Sequence, residues 1–296
     1  MHYRRLGRTD LDVSVIGLGT WQLGGEWGKD FTQAEADAIV DRAAECGMNL
    51  VDTAECYGDH LSEQLVGRAI RSNRDHWVLA SKFGHRFTGN GSRRQEWSAA
   101  EVVAQLERSL QALDTDRIDL YQFHSGDDTA FDDDELWAAL AAQKQAGKIR
   151  ALGLSVGRHN SAHQVAQATE RGIDALQVVY SRIDREPEET LFPSCREQDL
   201  GVLAREAMAG GLLSGKYPPG ARFTDPNDTR SGRDAEVLEQ RLQDVARIKA
   251  DEVPAALDMA AWSLAWVLRD PAVSTVIPGC KSPEQVEANA LAAELL

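Results

Sequence analysis

Four side chains of the 296-residue chain have types that together suit a proton transfer: Asp52, Tyr57, Lys82 and His124. A tyrosine hydroxyl has a pKa of about 10 and is therefore a poor acid at neutral pH. An ammonium group beside the phenol favours the phenolate and lowers that pKa. A carboxylate would fix the lysine, and a histidine would hydrogen-bond a substrate oxygen. Such a group suits protonation of a carbonyl oxygen while a cofactor supplies hydride.

A plainer interpretation of the same residues stays open. Asp52 and Lys82 would then form an ordinary ion pair, and His124 would only satisfy a backbone group. Spacing along the chain does not separate the two interpretations. The elements that position these residues therefore matter.

The four residues stand at or near the ends of short apolar runs that we predict to be strands. Most of these runs are unbroken, which is typical of parallel strands buried on both faces. In a barrel of such strands, the chemistry lies at their C-terminal ends. The predicted strands are residues 15–18, 49–52, 77–81, 119–124, 151–155, 175–180, 201–207 and 276–278.

Amphipathic stretches alternate with these runs. Thr32 and Glu35 predict a capping box at the start of the first helix, and Gly47 predicts its end. Eight strand–helix alternations predict one α/β domain over residues 1–296, a (β/α)8 TIM barrel with a short N-terminal β-hairpin. A doubly wound sheet is the runner-up, but it needs a phosphate-binding glycine turn after its first strand. The predicted helices are residues 32–45, 62–71, 98–113, 131–145, 161–171, 187–197, 253–269 and 283–295.

Composition excludes several classes of function. The chain has 47 acidic and 32 basic residues and a net charge of −15, which opposes binding to nucleic acid or an anionic membrane. No apolar run approaches the ~20 residues of a membrane span, and the N-terminus lacks the apolar core of a secretory signal. Four scattered cysteines predict neither a disulfide framework nor a zinc ribbon. We expect a cytoplasmic monomer or small homo-oligomer that binds a small molecule and has no metal site.

Two short motifs are better explained without their usual chemistry. Residues 153–157 match the G-x-S-x-G nucleophile elbow, but the last histidine, His163, follows only eight residues after Ser155. Residues 210–217 nearly match the phosphate-binding P-loop, with Tyr217 where a magnesium-binding Ser or Thr belongs. We therefore interpret Ser155 as a strand-end residue and the second motif as a glycine loop that suits phosphate. The longest irregular stretch, residues 218–234, is predicted to lie over the barrel mouth.

The sequence resembles the aldo-keto reductase superfamily over essentially the whole chain. Residues 52–58, Asp-Thr-Ala-Glu-Cys-Tyr-Gly, resemble its D-T-A-x-x-Y-G motif. Further resemblances follow in the family's order at residues 6–9, 17–21, 81–82, 119–124, 210–217 and 277–279.

The resemblance implies a barrel that binds NADPH or NADP⁺ without a Rossmann domain. Tyr57 would be the general acid/base, Lys82 would lower its pKa, Asp52 would hold Lys82, and His124 would orient the carbonyl. Trp21 and Trp27 would join Tyr57 and His124 around the substrate, a small carbonyl compound or sugar. The implied cofactor-binding residues are Thr20, Trp21, Asp52, Ser155, Gln177, Arg205, Glu206, Ala207, Met208, Ala209, Gly210, Lys216, Gly279, Lys281, Gln285 and Asn289.

Three positions depart from the family pattern. Val156 replaces an Asn or Arg, Arg205 replaces the aromatic ring that stacks on the nicotinamide, and Ala288 replaces a glutamate at the adenine end. Lys281 is our candidate for the 2′-phosphate, since phosphate favours a Lys or Arg partner. We expect an NADPH-dependent reductase of aldehydes or ketones, or a sugar or alcohol dehydrogenase in reverse. The alternative is a cofactor-binding regulatory subunit with little turnover, similar to the β subunits of potassium channels.

Overall fold

A computed structural model describes residues 1–89, 92–158 and 161–296. Within these ranges the strands are β1 (Tyr3–Arg5), β2 (Asp12–Ser14), β3 (Leu18–Gly19), β4 (Leu50–Asp52), β5 (Val78–Phe83), β6 (His85–Gly89), β7 (Ser92–Gln95), β8 (Ile118–His124), β9 (Ile149–Ser155), β10 (Ile173–Val179), β11 (Gly201–Arg205) and β12 (Thr275–Val276). The α-helices are α1 (Gln33–Glu45), α2 (Leu61–Ile70), α3 (Ala99–Leu113), α4 (Asp128–Phe131), α5 (Asp134–Gln145), α6 (Ala162–Ala166), α7 (Pro187–Thr190), α8 (Phe192–Glu197), α9 (Ala235–Asp251), α10 (Met259–Leu268) and α11 (Pro283–Ala290).

The predicted barrel is confirmed. Parallel pairing runs in the order β3, β4, β5, β8, β9, β10, β11, β12, which is the order of the predicted strands in the sequence. The last strand returns to the first, because Gly17 N donates to Val276 O at 2.8 Å and Val276 N donates to Val15 O at 3.0 Å. The parallel strands described here therefore form a closed barrel, with helices on its outer face.

The N-terminal hairpin, also predicted, fills one end of this barrel. Its Leu6, Leu11 and Val13 are buried in one cluster with Leu50 and Val78, which begin β4 and β5. The hairpin thus seals the N-terminal end of the barrel with apolar side chains. The C-terminal end remains for polar chemistry.

Side-chain alternation along the strands aims the polar residues inward at that open end. Val78 and Ala80 on β5 belong to the barrel interior, while Leu79 and Phe83 pack outside against the helices. Because successive side chains point to opposite faces, Lys82 points inward with Ala80. The pairing of β4 with β5 sets Asp52 beside Ala80, which precedes Lys82 by two residues and faces the same side of the strand.

The first helix begins as predicted. Thr32 Oγ1 accepts the Glu35 N–H, and the Glu35 carboxylate accepts the Thr32 N–H, which completes the capping box. Other predicted helices are shorter or divided in the structure. Residues 161–171 contain only α6, and residues 187–197 divide into α7 and α8 at Leu191.

The elements that were not predicted include a second hairpin and a long helix. The hairpin β6–β7 follows β5, and α9 follows the irregular stretch that ends at Asp234. Leu238, Leu242 and Ile248 of α9 pack on Leu212 and Leu213, so α9 supports the turn after β11. Among the described residues, no helix has the length and apolar character needed to cross a membrane.

Candidate active site

The centre of the site is a buried ammonium group held between a carboxylate and a phenol. Lys82 Nζ donates to Asp52 Oδ1 at 2.6 Å, to Thr53 O at 2.7 Å and to Tyr57 Oη at 3.2 Å. The Lys82 side chain is fully buried. Burial lowers the pKa of Lys82, but Asp52 and Tyr57 outweigh this effect and raise it above its ordinary value. The ammonium therefore keeps its charge inside the barrel.

Two glutamines complete the surroundings of Asp52. Its Oδ2 accepts Nε2 of Gln122 at 3.0 Å and Nε2 of Gln177 at 2.8 Å. Gly153 on β9 makes room for this network, because a Cβ there would lie 2.6 Å from Gln122 Cγ. The glycine of the apparent nucleophile elbow thus has a packing role. Ser155 ends β9 as predicted and is buried, with its Oγ 3.4 Å from Gln177 Oε1.

The Lys82 ammonium lowers the pKa of Tyr57, as predicted, but it does not set the net direction of the shift. Burial raises the pKa of the Tyr57 phenol above its ordinary value, and the Lys82 ammonium offsets only part of this effect. Desolvation disfavours the phenolate more than the neighbouring ammonium favours it. Tyr57 is consequently a neutral phenol at neutral pH, with a proton available to donate.

His124 faces Tyr57 across the site and is uncharged at neutral pH. Burial lowers the pKa of His124 well below its ordinary value, and His85 with nearby cationic groups lowers it further. The His85 ring stacks on the His124 ring with centroids 4.7 Å apart, and Cys56 Sγ lies 3.8 Å from His124 Nδ1. A neutral imidazole has one N–H donor and one acceptor nitrogen.

Aromatic and charged residues form one wall of the site. Trp21 stacks near Tyr57 at 6.0 Å and meets Trp27 edge-on at 5.2 Å. Glu26 accepts Trp21 Nε1 at 2.7 Å and forms an ion pair with Arg93 of β7 at 2.6 Å. The hairpin β6–β7 therefore braces this wall through Arg93.

The site opens into a cleft of ≈ 860 Å³ at the C-terminal end of the barrel. Most of the predicted site residues line it. Lys82 lies behind Tyr57, and Ser155 and Ala209 are also buried beside the cleft rather than in its lining. The predicted residues that line the cleft are Thr20, Trp21, Trp27, Asp52, Tyr57, His124, Gln177, Arg205, Glu206, Ala207, Met208, Gly210, Lys216, Gly279, Lys281, Gln285 and Asn289.

Basic side chains gather at the far end of the cleft. Lys216, Arg230, Arg233 and Lys281 line it. Lys281 Nζ donates to Trp27 O at 2.6 Å. Burial lowers the pKa of Lys281, with Asp228 opposing this effect. Such a cluster attracts phosphate groups.

The irregular stretch 218–234 lies over this end of the cleft, as predicted. Its Asp228 pairs with Trp27 in an antiparallel bridge, and Asn227 O accepts the Gly28 N–H at 3.1 Å. Arg230 holds Asp228 at 2.6 Å and stacks on Phe223 at 4.0 Å. These contacts join the two sides of the cleft.

The turn after β11 has an unusual backbone. Glu206 and Ala209 have φ of 52°, and Gly210 has φ of 69°. Left-handed residues in a turn make concave sites that bind anions. A Cβ on Gly210 would lie 2.2 Å from the Arg233 guanidinium, so the glycine lets Arg233 approach the turn.

These features fit a dinucleotide cofactor that carries phosphates. Arg205 Nε and Gln22 Oε1 are buried polar atoms without a hydrogen-bond partner in the described part of the chain. Both residues line the cleft. A polar ligand in the cleft would satisfy both.

Several residues of the cleft were not predicted from the sequence. Arg93 lies in an unpredicted hairpin, and Arg158 was not considered. Arg230 and Arg233 lie in the irregular stretch, whose arginine-rich composition and predicted place over the barrel mouth were the signals that could have identified them.

Comparisons with known proteins find similarity to oxidoreductases over almost the whole chain. A family model described as the aldo/keto reductase family matches residues 15–296. An uncharacterized oxidoreductase of Bacillus subtilis (strain 168) is 37% identical over 296 residues, which cover 99% of this chain and 91% of that protein. The NADH-specific methylglyoxal reductase of Escherichia coli (strain K12) is 31% identical over 308 residues, with coverage of 97% and 92%.

Solved structures give the same result. The holo form of an aldo-keto reductase from Bacillus halodurans has a TM-score of 0.82 at 33% identity and covers 99% of this chain and 91% of that chain. The glycerol dehydrogenase of Gluconobacter oxydans has a TM-score of 0.85 at 28% identity, with coverage of 98% and 89%. The likeness extends over nearly the full length of each relative.

Proposed function

This chain belongs to the aldo/keto reductase family of oxidoreductases, and we propose that it reduces a small aldehyde or ketone with NADPH, or oxidises the corresponding alcohol or sugar. The observation that carries the proposal is the hydrogen bond of 3.2 Å between Lys82 Nζ and Tyr57 Oη at the base of the cleft. A neutral phenol beside a fixed positive charge at one end of a long cleft supports this proposal.

Side chains of this protein would donate the proton that the carbonyl oxygen receives. Tyr57 Oη holds the proton that the carbonyl oxygen receives, and burial keeps the phenol protonated at neutral pH. Lys82 stabilises the negative charge left on the phenol oxygen, because it is already in place and needs no reorganisation. Asp52 fixes Lys82, and neutral His124 donates its N–H to the substrate oxygen.

The charge and shape of the cleft support the proposed placement of the cofactor. When bound, a reduced nicotinamide supplies the hydride. Gln177, Arg205 and Trp21 would hold the nicotinamide end, and Lys216 with Arg233 would hold the pyrophosphate. Lys281 is the proposed partner of the 2′-phosphate and favours NADPH over NADH.

The relatives support this class of reaction. The Escherichia coli relative is a methylglyoxal reductase and is NADH-specific, and the Gluconobacter relative is a glycerol dehydrogenase. Both names describe small carbonyl or alcohol substrates. Trp21 and Trp27 line the cleft with apolar surface that suits such compounds.

The first experiment measures loss of the reduced-nicotinamide absorbance with a panel of aldehydes, ketones and sugars. Tyr57→Phe should lower kcat by roughly 10²–10⁴-fold, the usual contribution of a general acid. Tyr3→Phe removes an exposed hydroxyl far from the cleft and is the matched control. Wild-type activity in the Tyr57→Phe variant would refute the proposal, and tight cofactor binding without turnover would favour a regulatory subunit.

The second experiment addresses the coenzyme. Lys281→Ala should weaken NADPH binding and leave NADH binding nearly unchanged, measured by titration of the bound coenzyme's fluorescence. Equal losses for both coenzymes would contradict the assigned partner of the 2′-phosphate.

A further inference from the structure

The two ring nitrogens of His124 have different surroundings. Cys56 Sγ lies 3.8 Å from Nδ1, whereas Nε2 has no hydrogen-bond partner in the described part of the chain. A neutral imidazole carries its single proton on one nitrogen, so only one of its two tautomers can donate from Nε2. The hydrogen bond that Nδ1 makes therefore decides whether His124 can donate from Nε2 to a substrate oxygen.

The Cys56 side chain is a protonated thiol that needs an acceptor. It is 2% exposed, and burial raises the pKa of the Cys56 thiol to about 11. The Arg93 guanidinium also faces the sulfur, but a guanidinium only donates hydrogen bonds. Among the described residues, His124 Nδ1 is the acceptor within reach of the thiol proton.

The His85 ring restricts the plane of the His124 ring. The two rings stack with centroids 4.7 Å apart and planes 21° apart, and Trp97 packs edge-on to His85 at 6.0 Å. Burial lowers the pKa of His85 to about 4, so two uncharged rings stack at neutral pH. The stack alone still allows a half-turn of the His124 ring, which exchanges Nδ1 with a ring carbon. The contact with the Cys56 sulfur selects one of these two orientations.

The loop that carries Tyr57 supports both histidines. Glu55 and Cys56 immediately precede Tyr57 in the sequence. The buried Glu55 carboxylate accepts the backbone N–H of His85 at 3.0 Å. Consecutive residues of one loop thus hold the His85 backbone and contact the His124 ring, whose centroid lies 6.3 Å from that of Tyr57. The loop therefore links the position of the phenol to that of the imidazole.

We propose that Cys56 and His85 are positioning residues for His124, an inference that rests on the proposed function. The Cys56 S–H donates a hydrogen bond to Nδ1, and the stacked His85 ring fixes the plane of the imidazole. Nε2 then carries the single proton of the neutral ring and is left to donate to the substrate oxygen.

Infrared spectroscopy of the S–H stretching band tests the hydrogen bond without cofactor or substrate. Subtraction of the Cys56→Ala spectrum from the wild-type spectrum isolates the Cys56 band. A thiol that donates a hydrogen bond absorbs at a lower frequency than a free thiol. The same subtraction in a His124→Phe background, which lacks the acceptor, should therefore give a Cys56 band at higher frequency.

A second thiol provides the control for the infrared experiment. Cys46→Ala removes the partly exposed thiol at the end of α1 and should leave the Cys56 band unchanged. A Cys56 band at the same frequency with and without the His124 imidazole would overturn the proposal.

Steady-state kinetics test the consequence for catalysis. Cys56→Ala should lower kcat about tenfold, because small misplacements of catalytic groups are costly, and should leave the coenzyme Kd nearly unchanged. Cys56→Ser supplies a hydroxyl that can also donate to Nδ1, so it should recover most of the lost kcat. His85→Phe keeps a flat ring and should recover most of the kcat lost in His85→Ala. Equal losses in the alanine variants and their matched partners would overturn the positioning role.

The two experiments separate this inference from the proposed reaction. A wild-type chain without turnover would contradict the reductase activity, while the infrared shift would still report the hydrogen bond between Cys56 and His124. Turnover by the wild type together with wild-type kcat in both Cys56→Ala and His85→Ala would contradict the positioning role alone.

Discussion

Asp52 shows how one side chain connects several parts of the candidate site. Its two carboxylate oxygens accept hydrogen bonds from Lys82, Gln122 and Gln177, which lie on three other strands. The positions of Asp52 and Lys82 at the open end of the barrel were predictable, because both stand at the ends of apolar runs. The hydrogen bond from Gln177 to Asp52 was not predictable, because a glutamine can bind either a ligand or a neighbouring side chain. The register of the strands determines which partner lies within reach.

Gly153→Ala tests this network. The added methyl would lie 2.6 Å from Gln122 Cγ and push the amide away from Asp52. We expect an unfolding free energy lower by about 1–3 kcal/mol, from overpacking. We also expect kcat lower by about tenfold or more, because small misplacements of catalytic groups are costly. Urea unfolding and carbonyl-reduction kinetics measure the two effects.

Gly232→Ala is the control for that experiment. Gly232 is exposed, and a Cβ there would meet no atom within 4 Å. Wild-type kinetics in Gly153→Ala would show that Gln122 is not needed to hold Asp52.

Arg205 supports a prediction about coenzyme preference. Its guanidinium lines the cleft, donates to Val156 O at 3.1 Å and pairs with Glu206 at 3.0 Å. A cation near the nicotinamide disfavours the positively charged NADP⁺ ring more than the neutral NADPH ring. Arg205→Tyr should therefore lower the ratio of the NADP⁺ Kd to the NADPH Kd, measured by calorimetry.

A second substitution at the same position separates charge from stacking. Arg205→Gln removes the charge without supplying a ring, so it should lower the ratio in the same direction. An unchanged ratio in both variants would show that the Arg205 charge does not distinguish the two coenzyme forms.

At the level of elements, the strands were predictable and some connections were not. Buried parallel strands appear in the sequence as apolar runs, as β8 and β10 do. The hairpin β6–β7 has a mostly polar sequence and is held by contacts such as the Arg93–Glu26 ion pair. The helix α9 carries its apolar residues among many charged ones, so its buried stripe was overlooked.

The start of α1 supports a prediction about pH. Hydrogen bonds from Thr32, with the nearby Lys29, lower the pKa of Glu35 to about 2 from its ordinary value of 4.5. A lowered pKa in the folded state stabilises the fold above the unfolded-state pKa, and this stabilisation disappears as the pH falls toward 2. Glu35→Gln should therefore reduce the unfolding free energy at pH 7 and make a smaller difference near pH 3.

Urea unfolding at the two pH values measures that change. Glu170→Gln, at an exposed position on the same protein, controls for the loss of one negative charge. A Glu35→Gln effect that stays constant between pH 7 and pH 3 would contradict the capping role of the carboxylate.

In the whole molecule, the apolar hairpin seal and the candidate active site lie at opposite ends of the barrel. The N-terminal hairpin seals one end with apolar side chains, and Arg8 fastens it to Asp174 at 3.1 Å. The candidate active site occupies the opposite end, where the strands terminate. The eightfold alternation in the sequence predicted this architecture. The bridging contacts across the cleft were not predictable, because they join residues 27 and 228, which lie 201 positions apart, through irregular backbone.

Leu6→Ala tests the separation of the two ends. Leu6 is fully buried in the hairpin cluster, so its truncation should lower the unfolding free energy by about 2–5 kcal/mol. The kcat of the folded variant should remain within about twofold of wild type, since active-site geometry at the other end of the barrel is untouched. Val237→Ala, at a side chain that is 55% exposed, should change stability by less than about 0.5 kcal/mol. Urea unfolding and steady-state kinetics on the same preparations measure the two effects. A large fall in kcat with little loss of stability would show that the hairpin acts directly on the catalytic end of the barrel.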